Sequence, residues 1–344
     1  MCNIAGYVGS ERAAPILLDM LQAEEGLAGG YYTGLATIHE GKLHHAKVVG
    51  DTARLRAQTD AEELPGTIGI AHSRSNSGGD SEWAHPFIGC DDRLAYMANG
   101  SLGYWAEDER LQAGAQRLAD DGHRYRAVHD EPIGSYPVLR DGTCVHMSDV
   151  MAHAIGAALD ELGDPEAAIR KAFLDLPSEI VGLYVSVRYP DRIYGARWNM
   201  PCCAARDNKG TYLASAPMAF PRNFTWHTWI PPCSVFSASG DTLTLAPLSS
   251  PDEALSDDIN GARAREVILE ELSDGKPRTF GALSKAVAAL SGRQDRVVKC
   301  DAVYQVLHDL ESEDLLSHET ARVPGAEDGL TAPQFRFFLT RQSG

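Results

Sequence analysis

Residues 2–8 of the chain read Cys-Asn-Ile-Ala-Gly-Tyr-Val, a short apolar stretch with an alternation that predicts a β-strand. This strand places Cys2 at one end of a sheet. Residues 13–25 follow with apolar side chains at helical spacing, which predicts a helix. Residues 35–38 and 42–49 then predict the two strands of a hairpin. A strand, a helix and a hairpin in this order indicate an α+β fold.

The composition is that of an ordinary globular protein. The 344 residues carry 31 Lys+Arg and 48 Asp+Glu, a net charge of −17, and 44% of them are hydrophobic. This length predicts two domains, and the acidic balance disfavours broad binding of polyanions. No leader with a basic start and an apolar core follows Met1, and no apolar run approaches the roughly 20 residues of a membrane span. The seven cysteines form no Cys-x-x-Cys pair, which fits free thiols in a reducing compartment. We therefore expect a cytoplasmic protein without membrane contact, metal site or cofactor.

Cys2 occupies a position with its own chemistry. It directly follows the initiator methionine and is a small residue, after which that methionine is normally removed. The mature chain would then begin with a thiol nucleophile. Its own α-amino group, with a pKa near 7.7 to 8.0 in model compounds, would serve as the general base. The position predicts a catalytic cysteine only in combination with the motifs that follow.

Two further segments carry candidate binding groups. Residues 67–74, Thr-Ile-Gly-Ile-Ala-His-Ser-Arg, predict a strand that ends in Arg74, whose planar guanidinium suits a carboxylate. A surface ion pair is the alternative for any single arginine. Residues 94–105 predict a second strand that contains Asn99 and Gly100, a side-chain amide beside an unshielded backbone N–H. Two such donors can form an oxyanion hole, and a plain turn is the alternative.

These motifs together resemble a known family. A cysteine at position 2 before Ile-x-Gly-Tyr-x-Gly, followed by His-Ser-Arg, Ala-His-Pro-Phe and Asn-Gly-Ser-Leu in this order, is similar to the class II, or N-terminal-nucleophile (Ntn), glutamine amidotransferases. The likeness is strongest to the glutaminase domain of glucosamine-fructose-6-phosphate aminotransferase and extends to about residue 247. It implies an Ntn-hydrolase αββα four-layer sandwich over residues 1–250.

The resemblance also implies roles for individual residues. Cys2 would be the nucleophile, Arg74 would bind the α-carboxylate of glutamine, and Asn99 with Gly100 would form the oxyanion hole. The implied activity is that of an enzyme that releases ammonia from glutamine. Because 344 residues leave no space for sugar-phosphate isomerase domains, we expect the ammonia to reach a separate acceptor (synthase) protein.

The sequence departs from the family pattern around the substrate. Residues 72–79 lack the tryptophan and the second histidine of the family motif, and Met147 aligns with the aspartate that holds the α-ammonium of glutamine. A shift of one or two residues brings Asp149 into that role, so Asp149 is a candidate substrate-binding residue. The alternative for Asp149 is an N-cap of a helix over residues 150–162. His85, before a proline, is interpreted as a structural histidine.

The sequence pattern changes near residue 250, where a linker is predicted. Residues 247–253 are polar and bounded by prolines, which predicts a linker between a domain over 1–250 and a domain over 251–344. The second domain is expected to contain three helices and a β-hairpin and to resemble a winged-helix domain; the predicted elements are residues 262–272, 280–290, 301–310, 315–323 and 335–340. Residues 251–344 carry 11 Lys+Arg and 17 Asp+Glu, a net charge of −6, which makes nucleic acid a poor partner. A protein contact such as a homodimer is favoured.

Two other functions stay open at this point. The altered α-ammonium site also fits a hydrolase of another γ-glutamyl-type amide. A catalytically weak glutamine sensor that signals through the C-terminal domain is a possibility from a different class. Salt-dependent DNA binding by residues 251–344 would favour the sensor, and its absence at low salt would count against it.

Overall fold

The computed structural model describes residues 2–89, 91–100, 109–249, 259–291 and 301–340. Two antiparallel sheets form its centre. The first sheet contains seven strands in the order β13-β11-β12-β1-β4-β2-β3. Its strands are β1 (Asn3–Gly9), β2 (Tyr32–His39), β3 (Lys42–Val49), β4 (Ile68–Arg74), β11 (Cys203–Arg206), β12 (Gly210–Ala214) and β13 (Trp226–Trp229).

The second sheet contains six strands in the order β15-β14-β10-β9-β6-β5. Its strands are β5 (Phe87–Ile88), β6 (Leu94–Gly100), β9 (Glu179–Ser186), β10 (Tyr189–Arg197), β14 (Ser234–Ala238) and β15 (Leu243–Pro247). A separate short ladder joins β7 (Val128–His129) to β8 (Cys144–Val145). The second predicted strand, residues 94–105, is present as far as Gly100, and residues 101–108 lie outside the described part of the chain.

Helices cover the outer faces of both sheets. Helix α1 (Ala13–Ala28) packs on β1, β4 and β2, and α2 (Thr52–Gln58) packs on β2 and β3. On the other side, α4 (Met147–Leu162) and α5 (Pro165–Asp175) pack on the second sheet. Helix α3 (Glu109–Asp120) packs against α4. The α+β prediction is confirmed, and the layers run helix, sheet, sheet, helix.

The central strands are buried on both faces because each has a sheet on one side and a helix on the other. Every residue of β4 is buried, including three polar side chains, His72, Ser73 and Arg74. Strand β1 contacts β6 and β10 of the facing sheet, and β4 contacts β6, β9 and β10. A strand enclosed in this way is expected to be continuously apolar. The polar side chains at the end of β4 are therefore exceptions that need partners.

The C-terminal segment, residues 259–291 and 301–340, contains the predicted helices and hairpin. They are α6 (Gly261–Leu272), α7 (Phe280–Ala288), α8 (Asp301–Ser312), β17 (Leu316–Pro324) and β18 (Thr331–Leu339), with a short strand β16 (Arg278–Thr279) beside β18. The winged-helix resemblance and the domain boundary stay predictions, since residues 250–258 lie outside the described residues. No described helix has the length and apolar character that a membrane crossing requires.

The C-terminal segment packs closely on α1 and on the second sheet. A Cβ atom on Gly26 of α1 would lie 2.2 Å from the Phe335 ring of β18. Leu27 and Ala216 belong to the same apolar cluster as the buried side chains of α6, α7 and α8. Arg197, at the end of β10, is buried, and its Nη2 lies 2.8 Å from both carboxylate oxygens of Asp301. This ion pair joins α8 to the sheet.

We expect removal of the Asp301 carboxylate to destabilise the fold strongly. Asp301→Ala leaves the buried guanidinium of Arg197 without its counter-charge, and the free energy of unfolding should fall by about 3 kcal/mol. Glu313→Ala is the matched control, because Glu313 also binds an arginine, Arg265, through two oxygens, but both side chains are substantially exposed. Its loss should be below about 1 kcal/mol. Urea unfolding of both variants measures the difference, and equal losses would contradict it.

Candidate active site

A cavity of about 330 Å³ opens beside Cys2, where the ends of β4 and β6 meet. Its lining contains both polar and apolar side chains, and no carboxylate occurs among the described lining residues. These are Cys2, Arg74, Ser75, Ser77, His85, Ala98, Gly100, Ile133, Gly134, Ser135, Tyr136, His146, Met147, Ser148 and Ser178. Two larger clefts, of about 1010 and 590 Å³, lie elsewhere, and neither contains a nucleophile whose pKa is lowered.

Cys2 lies at the start of β1, where the chain enters the first sheet. Its Sγ accepts a hydrogen bond from the Ser75 backbone N–H at 3.4 Å and lies 3.5 Å from the Ser75 hydroxyl. Burial raises the pKa of the thiol, but the adjacent His72 imidazole and the Ser75 N–H lower it, so that the pKa falls to about 5. Cys2 is therefore a thiolate at neutral pH, which is the nucleophilic form.

Asn99 and Gly100 come beside Cys2 from the facing sheet. The Asn99 side chain donates from Nδ2 to the main-chain oxygen of Cys2 at 2.9 Å. The pairing register of β6 with β9 shifts between Asn99 and Gly100, which is a β-bulge, and Gly100 lines the cavity. Bulges of this kind redirect the groups that follow them. The predicted pair of donors thus meets the predicted nucleophile at one place.

Arg74 is the last residue of β4 and is held by one edge of its guanidinium. Its Nη1 donates to the carbonyl oxygens of Gly78 at 3.0 Å and Trp83 at 3.1 Å, and the group lies over the Tyr32 ring at 4.7 Å. Nη2 is buried and has no hydrogen-bond partner within the described part of the chain. A buried guanidinium with one free edge at a cavity is suited to an anionic ligand.

Asp149 does not reach this cavity. Its carboxylate is fully buried, and Oδ2 accepts the backbone N–H groups of Arg126 at 2.7 Å and Ala127 at 2.9 Å, while Oδ1 lies 3.4 Å from His153 Nε2. The structure thus uses Asp149 to fix the loop before β7. The alternative prediction, that Asp149 is the N-cap of the helix, is wrong.

The N-cap of α4 is His146, three residues before Asp149. Its Nδ1 accepts the Ser148 N–H at 3.1 Å, and its Nε2 pairs with the Tyr136 hydroxyl at 3.1 Å. Burial lowers the pKa of His146 well below its usual value, so the ring is neutral. His146 and Tyr136 line the cavity, but no motif in the sequence singled them out.

His85 combines a structural contact with a place in the cavity wall. Its Nδ1 accepts the backbone N–H of Ala98 at 3.2 Å, which supports β6 next to Asn99. Burial lowers the pKa of His85 well below its usual value, so Nε2 carries the single ring proton. The interpretation of His85 as a structural histidine agrees with this hydrogen bond, although the ring also faces the site.

Comparison with known proteins links this geometry to a family. A segment of 222 residues, 64% of this chain, is 28% identical to the glutamine–fructose-6-phosphate aminotransferase (isomerizing) of Pyrococcus horikoshii and covers 33% of that protein. The protein of the same name from Methanothermobacter thermautotrophicus is 30% identical over 218 residues, which are 62% of this chain and 33% of that protein. The chain thus matches about one third of the length of these curated relatives. No family model matches the chain.

Two solved structures of amidotransferases or related enzymes have a fold similar to that of this chain. The glutamine phosphoribosylpyrophosphate amidotransferase from B. subtilis superposes with a TM-score of 0.58 at 16% identity, over 92% of this chain and 66% of that one. A structure described as the allosteric regulatory enzyme of purine biosynthesis superposes with a TM-score of 0.57 at 18% identity, over 79% of this chain and 58% of that one. The resemblance predicted from the sequence is confirmed: the chain is a homologue of the class II glutamine amidotransferases, which are enzymes.

Proposed function

We propose that the chain hydrolyses the side-chain amide of glutamine with Cys2 as the nucleophile and passes the ammonia to an acceptor enzyme on another protein. One observation carries the proposal: a thiol whose pKa is lowered to about 5 shares a cavity with the free guanidinium edge of Arg74 and lies beside the Asn99 amide. The similarity to glutamine–fructose-6-phosphate aminotransferases supports glutamine as the nitrogen donor.

The reaction proceeds in two steps. The Cys2 thiolate attacks the amide carbon, and the negative charge on the amide oxygen is stabilised by Asn99 Nδ2 and the Gly100 N–H. Ammonia leaves and a γ-glutamyl thioester forms; water then attacks the thioester and releases glutamate. In this proposal Met1 has been removed, and the α-amino group of Cys2 moves the protons.

The acceptor is the second part of the proposal. The names of the relatives include transfer to fructose 6-phosphate, but the segment shared with this chain accounts for only a third of their length. We propose that the acceptor chemistry belongs to a separate protein of the cytoplasm. Association with that protein, or with a second copy of this chain, is a role we assign to the C-terminal segment.

A second candidate function has its own supporting observation. No carboxylate occurs among the described residues that line the cavity, and Asp149 binds backbone groups elsewhere. A substrate without an α-ammonium group, such as another γ-glutamyl-type amide blocked at that position, fits this lining. Comparing the hydrolysis rates of glutamine and of such an amide decides between the two.

Alkylation of Cys2 by iodoacetamide should have an unusual pH dependence. Because the folded-state pKa is lowered to about 5, the thiolate persists above that pH, and the rate should stay level from pH 6 to pH 8 and halve near pH 5. Cys202 is the internal control, since burial raises its pKa to about 12. Peptide mass spectrometry after timed labelling gives both rates. A midpoint between pH 8 and pH 9 for Cys2 would contradict the expectation.

Mass spectrometry of the purified protein tests the nucleophile directly. We expect loss of Met1 and a single adduct on Cys2 after treatment with a diazoketone analogue of glutamine. Cys2→Ala should take up no adduct and should lose glutaminase activity by at least about 10³-fold. A chain that keeps Met1, or a processed chain without an adduct, would reject the proposed N-terminal nucleophile.

Replacement of Arg74 tests the carboxylate site. Arg74→Lys retains the charge but supplies no planar fork, so KM for glutamine should rise at least about 10-fold, with a smaller change in thermal stability. Arg206→Lys is the matched control, because Arg206 also lies over an aromatic ring, that of Trp226, but does not line the cavity. Steady-state kinetics of the two variants give the answer, and an unchanged KM in Arg74→Lys would rule out the role.

A further inference from the structure

His72 lies on β4, two residues before Arg74, and takes no part in the reaction proposed above. It is fully buried and is not among the residues that line the cavity. Its ring stacks on that of His85, with the centroids 4.0 Å apart and the planes 25° from parallel. A buried polar side chain in the centre of a sheet requires specific partners.

The Nε2 atom of His72 contacts two groups of the facing strand at the same distance. It lies 3.0 Å from the carbonyl oxygen of Ala98 and 3.0 Å from Oδ1 of Asn99. A carbonyl oxygen only accepts, so Nε2 must carry a hydrogen. The atom of Asn99 that faces this N–H is then necessarily the oxygen, because an NH₂ group there would set two donors against each other. The orientation of the Asn99 amide therefore follows from chemistry and does not depend on how its O and N atoms were assigned.

This contact determines which group Asn99 presents to Cys2. With Oδ1 held by His72, Nδ2 turns to the other side and donates to the main-chain oxygen of Cys2 at 2.9 Å. Without the histidine, only the hydrogen bond to the Cys2 main-chain oxygen opposes rotation of the amide by half a turn about its last bond. A rotated amide would point an oxygen, which repels negative charge, at the place where the amide oxygen of the substrate becomes an anion.

We propose that His72 is a positioning residue that locks the Asn99 amide with its NH₂ group toward the nucleophile. This inference rests on the proposed function and deepens it, since it assigns the orientation of the oxyanion donor to a side chain outside the cavity. The proton on Nε2 and the oxygen of Asn99 are the two atoms through which it acts.

His72 also lies close enough to Cys2 to lower the pKa of the thiol. The Nδ1 atom of His72 is buried and has no hydrogen-bond partner among the described residues. A change at His72 therefore has two separable effects, one on the Asn99 amide and one on the thiolate. The test must distinguish them.

A double-mutant cycle makes this distinction. In the wild-type background His72→Leu should reduce kcat for glutamine about 100-fold, the size of losing one oxyanion donor, with KM within about 3-fold. In the Asn99→Ala background the same change should reduce kcat by less than about 3-fold, because its target has gone. Equal losses in both backgrounds would show that His72 acts through the thiol or the fold, and would overturn the proposal.

His72→Gln tests rescue by a conservative replacement. Its terminal amide extends to about the same length as the imidazole and supplies an N–H for Asn99, so most of the kcat lost in His72→Leu should return. Thr37→Val is the folding control, since Thr37 is buried in the same sheet and its hydroxyl has no partner among the described residues. It should retain wild-type activity. A glutamine variant as slow as the leucine variant would count against the proposed donor.

A structural measurement separates failure of this inference from failure of the proposed function. If the wild-type protein has no glutaminase activity, the proposed function is rejected and the double-mutant cycle yields no kinetic data. A crystal structure of His72→Leu at about 1.2 Å or better then still decides the inference. An Asn99 amide that has rotated or moved away from Cys2 supports it, and an amide that keeps Nδ2 on the Cys2 oxygen overturns it.

Discussion

The hydrogen bond from Asn99 to the main-chain oxygen of Cys2 joins the two sheets at the cavity. Asn99 belongs to one sheet and Cys2 directly precedes strand β1 of the other, so this contact fixes the distance between the ends of β1 and β6. On the far side of the amide, His72 holds the oxygen. The nucleophile, the amide and the imidazole therefore form one chain of contacts whose geometry depends on how the sheets pack.

Enclosure of β4 explains why the polar side chains at this end of the sandwich need specific partners. Burial on both faces leaves no water for His72, Ser73 and Arg74, so each must find a protein group or a ligand. Ser73 hydrogen bonds to the Gly30 N–H, and Arg74 uses one edge on two carbonyl oxygens. The remaining edge of the arginine and Nδ1 of His72 have no partner among the described residues. A polar strand end within an apolar layer is thus held in a defined geometry before any substrate arrives.

The sequence was sufficient to predict those parts of the fold and site that depend on strand order. Cys2, Arg74 and the Asn99–Gly100 pair occur at strand ends, and antiparallel neighbours in packed sheets bring such ends together. The contacts of Asp149 could not be predicted in this way. Its partners are backbone N–H groups of a loop whose path the sequence pattern does not specify. His146 was missed for a similar reason. Its hydrogen bonds to Ser148 and Tyr136 depend on the loop that precedes α4, and no periodic pattern identifies them.

The ion pair between Arg197 and Asp301 links the N-terminal part of the chain to the C-terminal segment. The first 247 residues resemble a glutaminase, yet their buried arginine has its counter-charge in the C-terminal segment, and Leu27 and Ala216 complete a core that this segment supplies. Isolated from residues 259–340, the glutaminase-like part would keep an unpaired buried charge and an uncovered apolar surface. The glutaminase-like part therefore depends on the C-terminal segment for a complete core and a paired charge. Exchanging the first part for that of a relative would require new residues at these contacts.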